Sequence, residues 1–230
     1  EGMKDVTTQA LVRSEALDEA DHSVDGPVKV IILAAAQGAR PGVAYPRALQ
    51  KLGDKAIIDY VIDLALHFAA PPDITIIVGY QREAVEQYLG DAYNYVFQEE
   101  ALGTGHAVLQ ALPQLHDFQG DLMILYGDTP LFRISSLRGL LTRHRLTGAA
   151  LTLFSGITNQ PLPYGRVVRD REGRPIDVVE QADASEEVRR IRELNLGAYV
   201  ARVEQLLPAL QALSCDNVAG GYLFTDVVSH

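Results

Sequence analysis

The amino-acid sequence predicts an α/β protein: a doubly wound, mostly parallel sheet that gains a small antiparallel lobe in its second half. Two observations carry this. Between Val28 and Tyr126, short β-branched apolar runs alternate with stretches whose apolar residues recur at helical spacing, separated by loops rich in Gly, Pro and polar residues. Parallel strands joined by right-handed helical crossovers require that pattern. Beyond Arg145 the texture changes to short strands separated by turns, as antiparallel hairpins do.

Residues 28–34 (Val-Lys-Val-Ile-Ile-Leu-Ala) are nearly all apolar and predict a first strand buried on both faces. A polar loop over 37–46 leads to 56–68, where Ile57, Ile58, Val61, Ile62, Ala65 and Phe68 fall on one helical stripe. The alternation continues as strand 74–78, helix 82–89, strand 93–97, helix 104–112 and strand 121–126. Strands are expected at 149–154 and 166–169, with a turn at Arg171-Glu172-Gly173-Arg174 feeding 176–179. A strand over 194–201 and a helix over 203–213 complete the series. The run from Glu186 to Glu193 reads as a solvated helical face with ion pairs at three- and four-residue spacing.

The chain has 230 residues, 47% of them hydrophobic and 22% charged. A globular chain of this length buries roughly 70% of its unfolded surface, so one domain needs no disulfide or metal staple. Its net charge of −10 argues against sequence-independent binding to nucleic acid or anionic lipid, which needs clustered Lys and Arg. Any phosphate must be captured locally. Cys215, the single cysteine, forms no intrachain disulfide and reads as a buried thiol in a reducing cytoplasm. No stretch approaches the ~18 apolar residues of a membrane span. Residues 1–27 carry seven acids and two bases, half of the net charge, and lack a strong apolar period apart from a short helical signal over 8–17. They read as an acidic extension preceding a single domain over 28–230.

In an open α/β sheet, ligands bind beyond the carboxyl ends of the strands. After the first strand stand Leu33, Ala34, Ala35, Ala36, Gln37, Gly38, Ala39 and Arg40, then Pro46 and Arg47. Small residues let backbone N–H groups approach a ligand and the arginines supply charge, which fits a polyphosphate as well as it fits a tight turn with two solvated arginines. After the third strand, Gln98 offers an amide that matches a pyrimidine edge, and Gly103, Thr104 and Gly105 open a helix with free N–H groups. A plain Gly-rich cap fits those residues too, and His106 reads as a packed histidine. Asp128, after Tyr126-Gly127 and before Thr129-Pro130, suits Mg²⁺ bridged to phosphate oxygens, or a simple turn. His67, His116 and His144 are scattered without zinc spacing.

In their order and spacing, the segments 33–40 with Pro46-Arg47, 98–107, 126–131, 164–170, 178–181, 193–199 and 222–226 resemble the sugar-1-phosphate nucleotidyltransferases. Within that family they are most similar to the uridylyltransferase (pyrophosphorylase) domain of bacterial bifunctional N-acetylglucosamine-1-phosphate uridylyltransferase/glucosamine-1-phosphate acetyltransferases. The resemblance implies the Rossmann-like nucleotide-diphospho-sugar transferase fold, with the antiparallel lobe over the active site. It implies the substrates UTP and N-acetylglucosamine 1-phosphate or a similar sugar 1-phosphate, Mg²⁺ as cofactor, and a cytoplasmic enzyme without nucleic-acid or membrane partners. Homo-oligomerisation is left open, because the relatives trimerise largely through their second domain. Gln98 and Gly103 would read the uracil beside the backbone of Leu33, Ala35 and Ala36. Arg40 and Arg47 would neutralise the triphosphate. Asp128 would hold Mg²⁺. Tyr126, Thr104, Gly165, Glu180 and Asn195 would contact the sugar.

Four positions depart from the family pattern. Ala36 and Ala39 stand where glycine and threonine are expected, Arg47 where lysine is expected and Ala101 where close relatives carry glutamine. A methyl at Ala36 would crowd the nucleotide if the backbone there needed positive φ, and a guanidinium fork is not a point ammonium. A further Mg²⁺ ligand of the family, an asparagine, is expected beyond His230. These departures set an active uridylyltransferase against a nucleotide-sugar binding or regulatory module, and against an enzyme of different nucleotide or sugar choice.

Overall fold

A computed structural model describes residues 26–36, 45–218 and 220–229. The expected extension lies outside the described residues apart from Gly26 and Pro27, as do Ala39 and Arg40. Among the described residues the strands are β1 (Val28–Leu33), β2 (Lys51–Leu52), β3 (Lys55–Ala56), β4 (Ile74–Val78), β5 (Asn94–Phe97), β6 (Asp121–Tyr126), β7 (Leu151–Ile157), β8 (Arg166–Arg169), β9 (Pro175–Val179) and β10 (Glu193–Arg202). The α-helices are α1 (Ile57–Ala65), α2 (Arg82–Leu89), α3 (Thr104–Gln110), α4 (Leu112–Leu115), α5 (Ile134–Thr147), α6 (Glu186–Arg189) and α7 (Val203–Gln211).

Strands β5, β4, β1 and β6 lie side by side in parallel. The chain leaves β1 toward β4 and β5, then crosses back to place β6 on the other side of β1. The direction of winding reverses there, and a crevice opens beyond the strand ends. Strand β10 runs antiparallel to β6 and carries β7 and the β8–β9 hairpin, so the antiparallel half extends the same sheet.

The strand pleat sorts the core into two layers. Val30 and Ile32 of β1, Ile74 and Ile76 of β4 and Met123 and Leu125 of β6 pack with Ile58, Val61 and Ile62 of α1 and Leu137 and Leu140 of α5. Ile31, Leu33, Ile77, Leu122 and Ile124 face the other way, toward Ala107 and Val108 of α3 and Val203, Leu206 and Leu210 of α7. Fully burying one such aliphatic side chain contributes about 1.5–3 kcal/mol, and both layers draw on β1, β4 and β6.

Several expectations are corrected. The run from Glu186 to Glu193 is not one helix: α6 ends at Arg189, and Glu193 opens β10, where its carboxylate accepts hydrogen bonds from Arg169 Nη2 at 2.6 Å and Nε at 2.7 Å. Cross-strand pairing to a guanidinium replaces a helical pair. Cys215 is exposed rather than buried, because it follows the end of α7 in an irregular segment. The helix expected over 104–112 divides into α3 and α4 at Ala111, one residue before Leu112-Pro113; Pro113 has no N–H to bond the Leu109 carbonyl and its ring crowds that carbonyl, so the α3 ladder cannot run on unbroken. Helix α5 and the β2–β3 hairpin were not expected. Among the described residues no helix is long and apolar enough to cross a membrane.

Candidate active site

Three backbone hydrogen bonds continue the parallel ladders past the strand ends: Ala34 N–H to Ile77 O at 2.9 Å, Gln98 N–H to Val78 O at 2.8 Å and Gly127 N–H to Leu33 O at 2.8 Å. They hold Ala35, Gln98 and Asp128 at the mouth of the crevice. Close approach there demands glycine. A Cβ on Gly79 would sit 2.7 Å from the Ala35 carbonyl oxygen and 2.9 Å from its Cβ. Ala36 keeps a negative φ, since Gln81 is the sole described non-glycine residue with positive φ. The methyl that departs from the family pattern therefore imposes no backbone strain.

Two clefts of about 410 Å³ each open over the sheet. Ala35, Gly79, Tyr80, Gln81, Arg82, Phe97, Gln98 and Ala101 contribute to the first, over β1, β4 and β5. The second, over β6, β8 and β10, brings together Arg47, Tyr126, Asp128, Gly165, Glu180 and Asn195, six of the residues the sequence singled out, from segments 47 to 195. Leu33 is buried beneath the crevice.

Gly103 and Thr104 brace the site and are not among the residues that line these two clefts. Gly103 has φ +112°, and a Cβ there would run into the Tyr222 carbonyl. Tyr222 N–H donates to Leu102 O at 2.7 Å, Gly105 N–H to Tyr222 O at 2.8 Å, and Phe224 N–H to Thr104 Oγ1 at 2.9 Å. The amide of Gly105, expected to be free for a ligand, is thus occupied by the docked segment 222–224. Gln98 is 6% exposed, and its Nε2 donates to Gly103 O at 3.0 Å.

The second cleft is built on a bulge in β10. Its pairing with β7 shifts register between Asn195 and Tyr199, and Gly197, at φ +79°, leaves room for the Tyr126 ring, which a Cβ would approach to 2.9 Å. Asn195 stabilises the bulge: Nδ2 donates to Tyr199 Oη at 2.6 Å, and Oδ1 accepts from Gly197 N–H at 3.2 Å. Burial pushes the Tyr126 phenol up to about 12, against hydrogen bonds with Thr104 and Tyr199. It remains a neutral donor and acceptor. Burial also raises Glu180, helped by Asp226 and Asp183 and opposed by a hydrogen bond from Thr225 Oγ1 at 3.2 Å. Gly165 faces that carboxylate; a Cβ would lie 3.2 Å from Glu180 Oε1.

Arg47 Nη1 donates to Asp128 Oδ2 at 2.8 Å, with side chains 38% and 28% exposed. A partly exposed pair of this kind is weak and readily exchanged. Among the described residues no three His, Cys, Asp or Glu side chains gather into a metal site. Mg²⁺ nevertheless commonly binds through one or two carboxylates, with water and substrate phosphates completing its shell, and Asp128 at the crevice mouth fits that mode.

Sequence reasoning missed Tyr80, Gln81, Arg82 and Phe97, which wall the first cleft. Gln81 adopts φ +53° at the start of α2, and the Arg82 guanidinium carbon lies 4.5 Å from the centre of the Phe97 ring. Their position immediately after β4 and at the end of β5 was the available signal.

Residues 30–216 match the MobA-like NTP transferase domain family. The chain is 39% identical over 198 residues to the Bifunctional protein GlmU of Caldanaerobacter subterraneus subsp. tengcongensis, covering 86% of this chain and 43% of that protein. It is 40% identical over 198 residues to the protein of the same name from Levilactobacillus brevis, again over 86% of this chain and 43% of the relative. The chain thus spans less than half the length of these relatives. In three dimensions it resembles a UDP-glucose pyrophosphorylase solved with UDP-glucose, with a TM-score of 0.72, 16% identity and coverage of 89% of this chain and 86% of that one. That likeness concerns the fold.

Proposed function

The chain belongs to the MobA-like NTP transferase domain family, and we propose that it transfers a uridylyl group from UTP to N-acetylglucosamine 1-phosphate or a close relative, giving the UDP-sugar and pyrophosphate. The observation that carries this reading is the convergence of Arg47, Tyr126, Asp128, Gly165, Glu180 and Asn195 on the second cleft, over the same sheet as the first cleft, which contains Gln98. Two clefts at the winding reversal suit a sugar phosphate and a nucleotide whose phosphates meet between them. The names of the GlmU relatives point the same way.

In the proposed reaction an oxygen of the sugar 1-phosphate attacks the α-phosphorus of UTP, and the bond from that phosphorus to the oxygen bridging to the β-phosphate breaks. The electron pair leaves with pyrophosphate. Such transfer needs positioning and charge rather than a protein nucleophile. Ala35 and Gln98 hold the nucleotide, with Leu33 and Ala36 shaping the turn that receives its phosphates. Arg40 and Arg47 offset phosphate charge. Tyr126, Glu180 and Asn195 orient the sugar, Gly165 leaves room for it, and Thr104 holds Tyr126. Magnesium bound at Asp128 would supply further charge neutralisation for the phosphates. The substrates are small molecules, and the reading includes a cytoplasmic location.

One observation favours a second reading, a binding module without turnover: the Arg47 guanidinium sits on the carboxylate that would take the metal. Reverse reaction assays separate the two. Incubation with UDP-N-acetylglucosamine, pyrophosphate and Mg²⁺ should yield UTP. Tight binding of UDP-N-acetylglucosamine with no UTP formed would favour the binding module.

A further inference from the structure

We propose that His106 is a positioning residue that holds the Gln98 amide with its oxygen toward the first cleft, so that the cleft selects a nucleobase carrying an N3–H, as uracil does, over cytosine. The inference rests on reading the first cleft as the nucleobase site.

The Gln98 side-chain nitrogen lies 3.0 Å from the Gly103 carbonyl oxygen and 3.0 Å from His106 Nδ1. A carbonyl oxygen only accepts, so the end of the amide that faces it is the NH₂ group. That group has two hydrogens. One goes to Gly103 O, and the other points at His106 Nδ1, which must accept it. The neutral ring then carries its proton on Nε2; the Gln110 side-chain nitrogen stands 3.0 Å from that atom, so this tautomer requires the Gln110 amide to turn end for end and present its oxygen.

With both donors used, Oε1 is the polar atom that Gln98 has left for the cleft it lines. The main chain fixes the rest: Gln98 N–H is held by Val78 O at 2.8 Å, and the Gly103 carbonyl also accepts from Ala107 N–H at 3.1 Å. An acceptor matches the N3–H of uracil and opposes the N3 lone pair of cytosine. Removing the imidazole acceptor leaves the second N–H without a partner at a residue only 6% exposed. The Gly103 carbonyl is then the one acceptor that still holds the amide, the oxygen is placed less firmly at the cleft, and the preference weakens.

Calorimetric titration of UDP and CDP into wild type, His106→Phe and His106→Asn tests this. Phenylalanine keeps a ring beside Tyr222, whose ring centre lies 6.3 Å from that of His106, but offers no acceptor. Asparagine restores one. Wild type should prefer UDP. His106→Phe should shrink the UDP-to-CDP affinity ratio about tenfold, a loss of about 1.4 kcal/mol, while His106→Asn should return it to within about threefold of wild type. His106→Ala replaces the Phe variant if a thermal melt shows the latter unfolded. Equal or absent binding of the two nucleotides by wild type, an unchanged ratio in the Phe variant, or no recovery in the Asn variant would overturn the proposal. If the ratio behaves as expected but UTP and the sugar phosphate give no pyrophosphate, the transferase reading fails alone.

Discussion

In the proposed reaction a divalent cation must compete with Arg47 for Asp128. The guanidinium is 2.8 Å from Oδ2 in a partly exposed pair, so a cation must displace a weak partner rather than enter an empty carboxylate. Arg47→Ala should tighten Mn²⁺ binding in the absence of nucleotide by about three- to tenfold, since a neighbouring positive charge is removed. Electron paramagnetic resonance of free Mn²⁺ would read this, and Asp128→Asn should abolish the gain. Glu180 carries the opposite tension. Burial raises its carboxyl above the usual range, so its ionised form costs the fold stability once pH rises through that raised value. Glu180→Gln should therefore raise the melting temperature at pH 7 yet lose the advantage near pH 4, and it should weaken binding of N-acetylglucosamine 1-phosphate. At this scale much of the second cleft was legible in the sequence, because its residues sit in short motifs. What was hidden is how they are used: the side chain of Asn195 stabilises the bulge, and Thr104 accepts from Phe224, contacts that depend on segments far away in the chain.

The bulge in β10 is the element on which the second cleft depends. Gly197→Ala introduces a Cβ 2.9 Å from the Tyr126 ring at a backbone with φ +79°. It should destabilise the fold by about 1–3 kcal/mol in urea titration, and sugar-phosphate binding should suffer more than UDP binding. At the opposite end of the sheet, β6 and α5 meet at Asp121. Burial there works against ionisation, but the His144 ring, whose Nε2 approaches to 3.5 Å, and the Arg145 guanidinium outweigh it and lower the carboxyl; Arg145 Nε donates at 2.7 Å. A lowered folded pKa gives stability that is full above the unfolded carboxylate value and lost as pH falls through the folded one. The stability advantage of wild type over Asp121→Asn should thus be constant from pH 5 to 7 and shrink below about pH 4. Strands were legible because β-branched runs such as 74–78 have no competing period. Helix α5 was not: of its 14 residues only Leu137, Leu140 and His144 are buried, too narrow a stripe to stand out among its basic residues. The run from Glu186 misled because charge spacing alone does not distinguish a helix from a strand whose glutamate has a partner across the sheet.

For the whole molecule, one sheet serves two purposes. Its pleat divides the apolar residues between two helical layers, and its winding reverses between β1 and β6, which opens the crevice where both clefts lie. The parallel half followed from the sequence, since local alternation dictates it. How the antiparallel half attaches did not, because the long pairings of β10 with β6 and β7 join residues far apart in the chain. The central claim is that this crevice performs uridylyl transfer through Asp128. The most direct measurement is pyrophosphate release from UTP and N-acetylglucosamine 1-phosphate with Mg²⁺, by wild type beside Asp128→Ala. The account predicts release that depends on both substrates and falls by at least about 100-fold in the variant. Release that persists in the variant, or none from folded wild type that still binds UDP-N-acetylglucosamine, would contradict it.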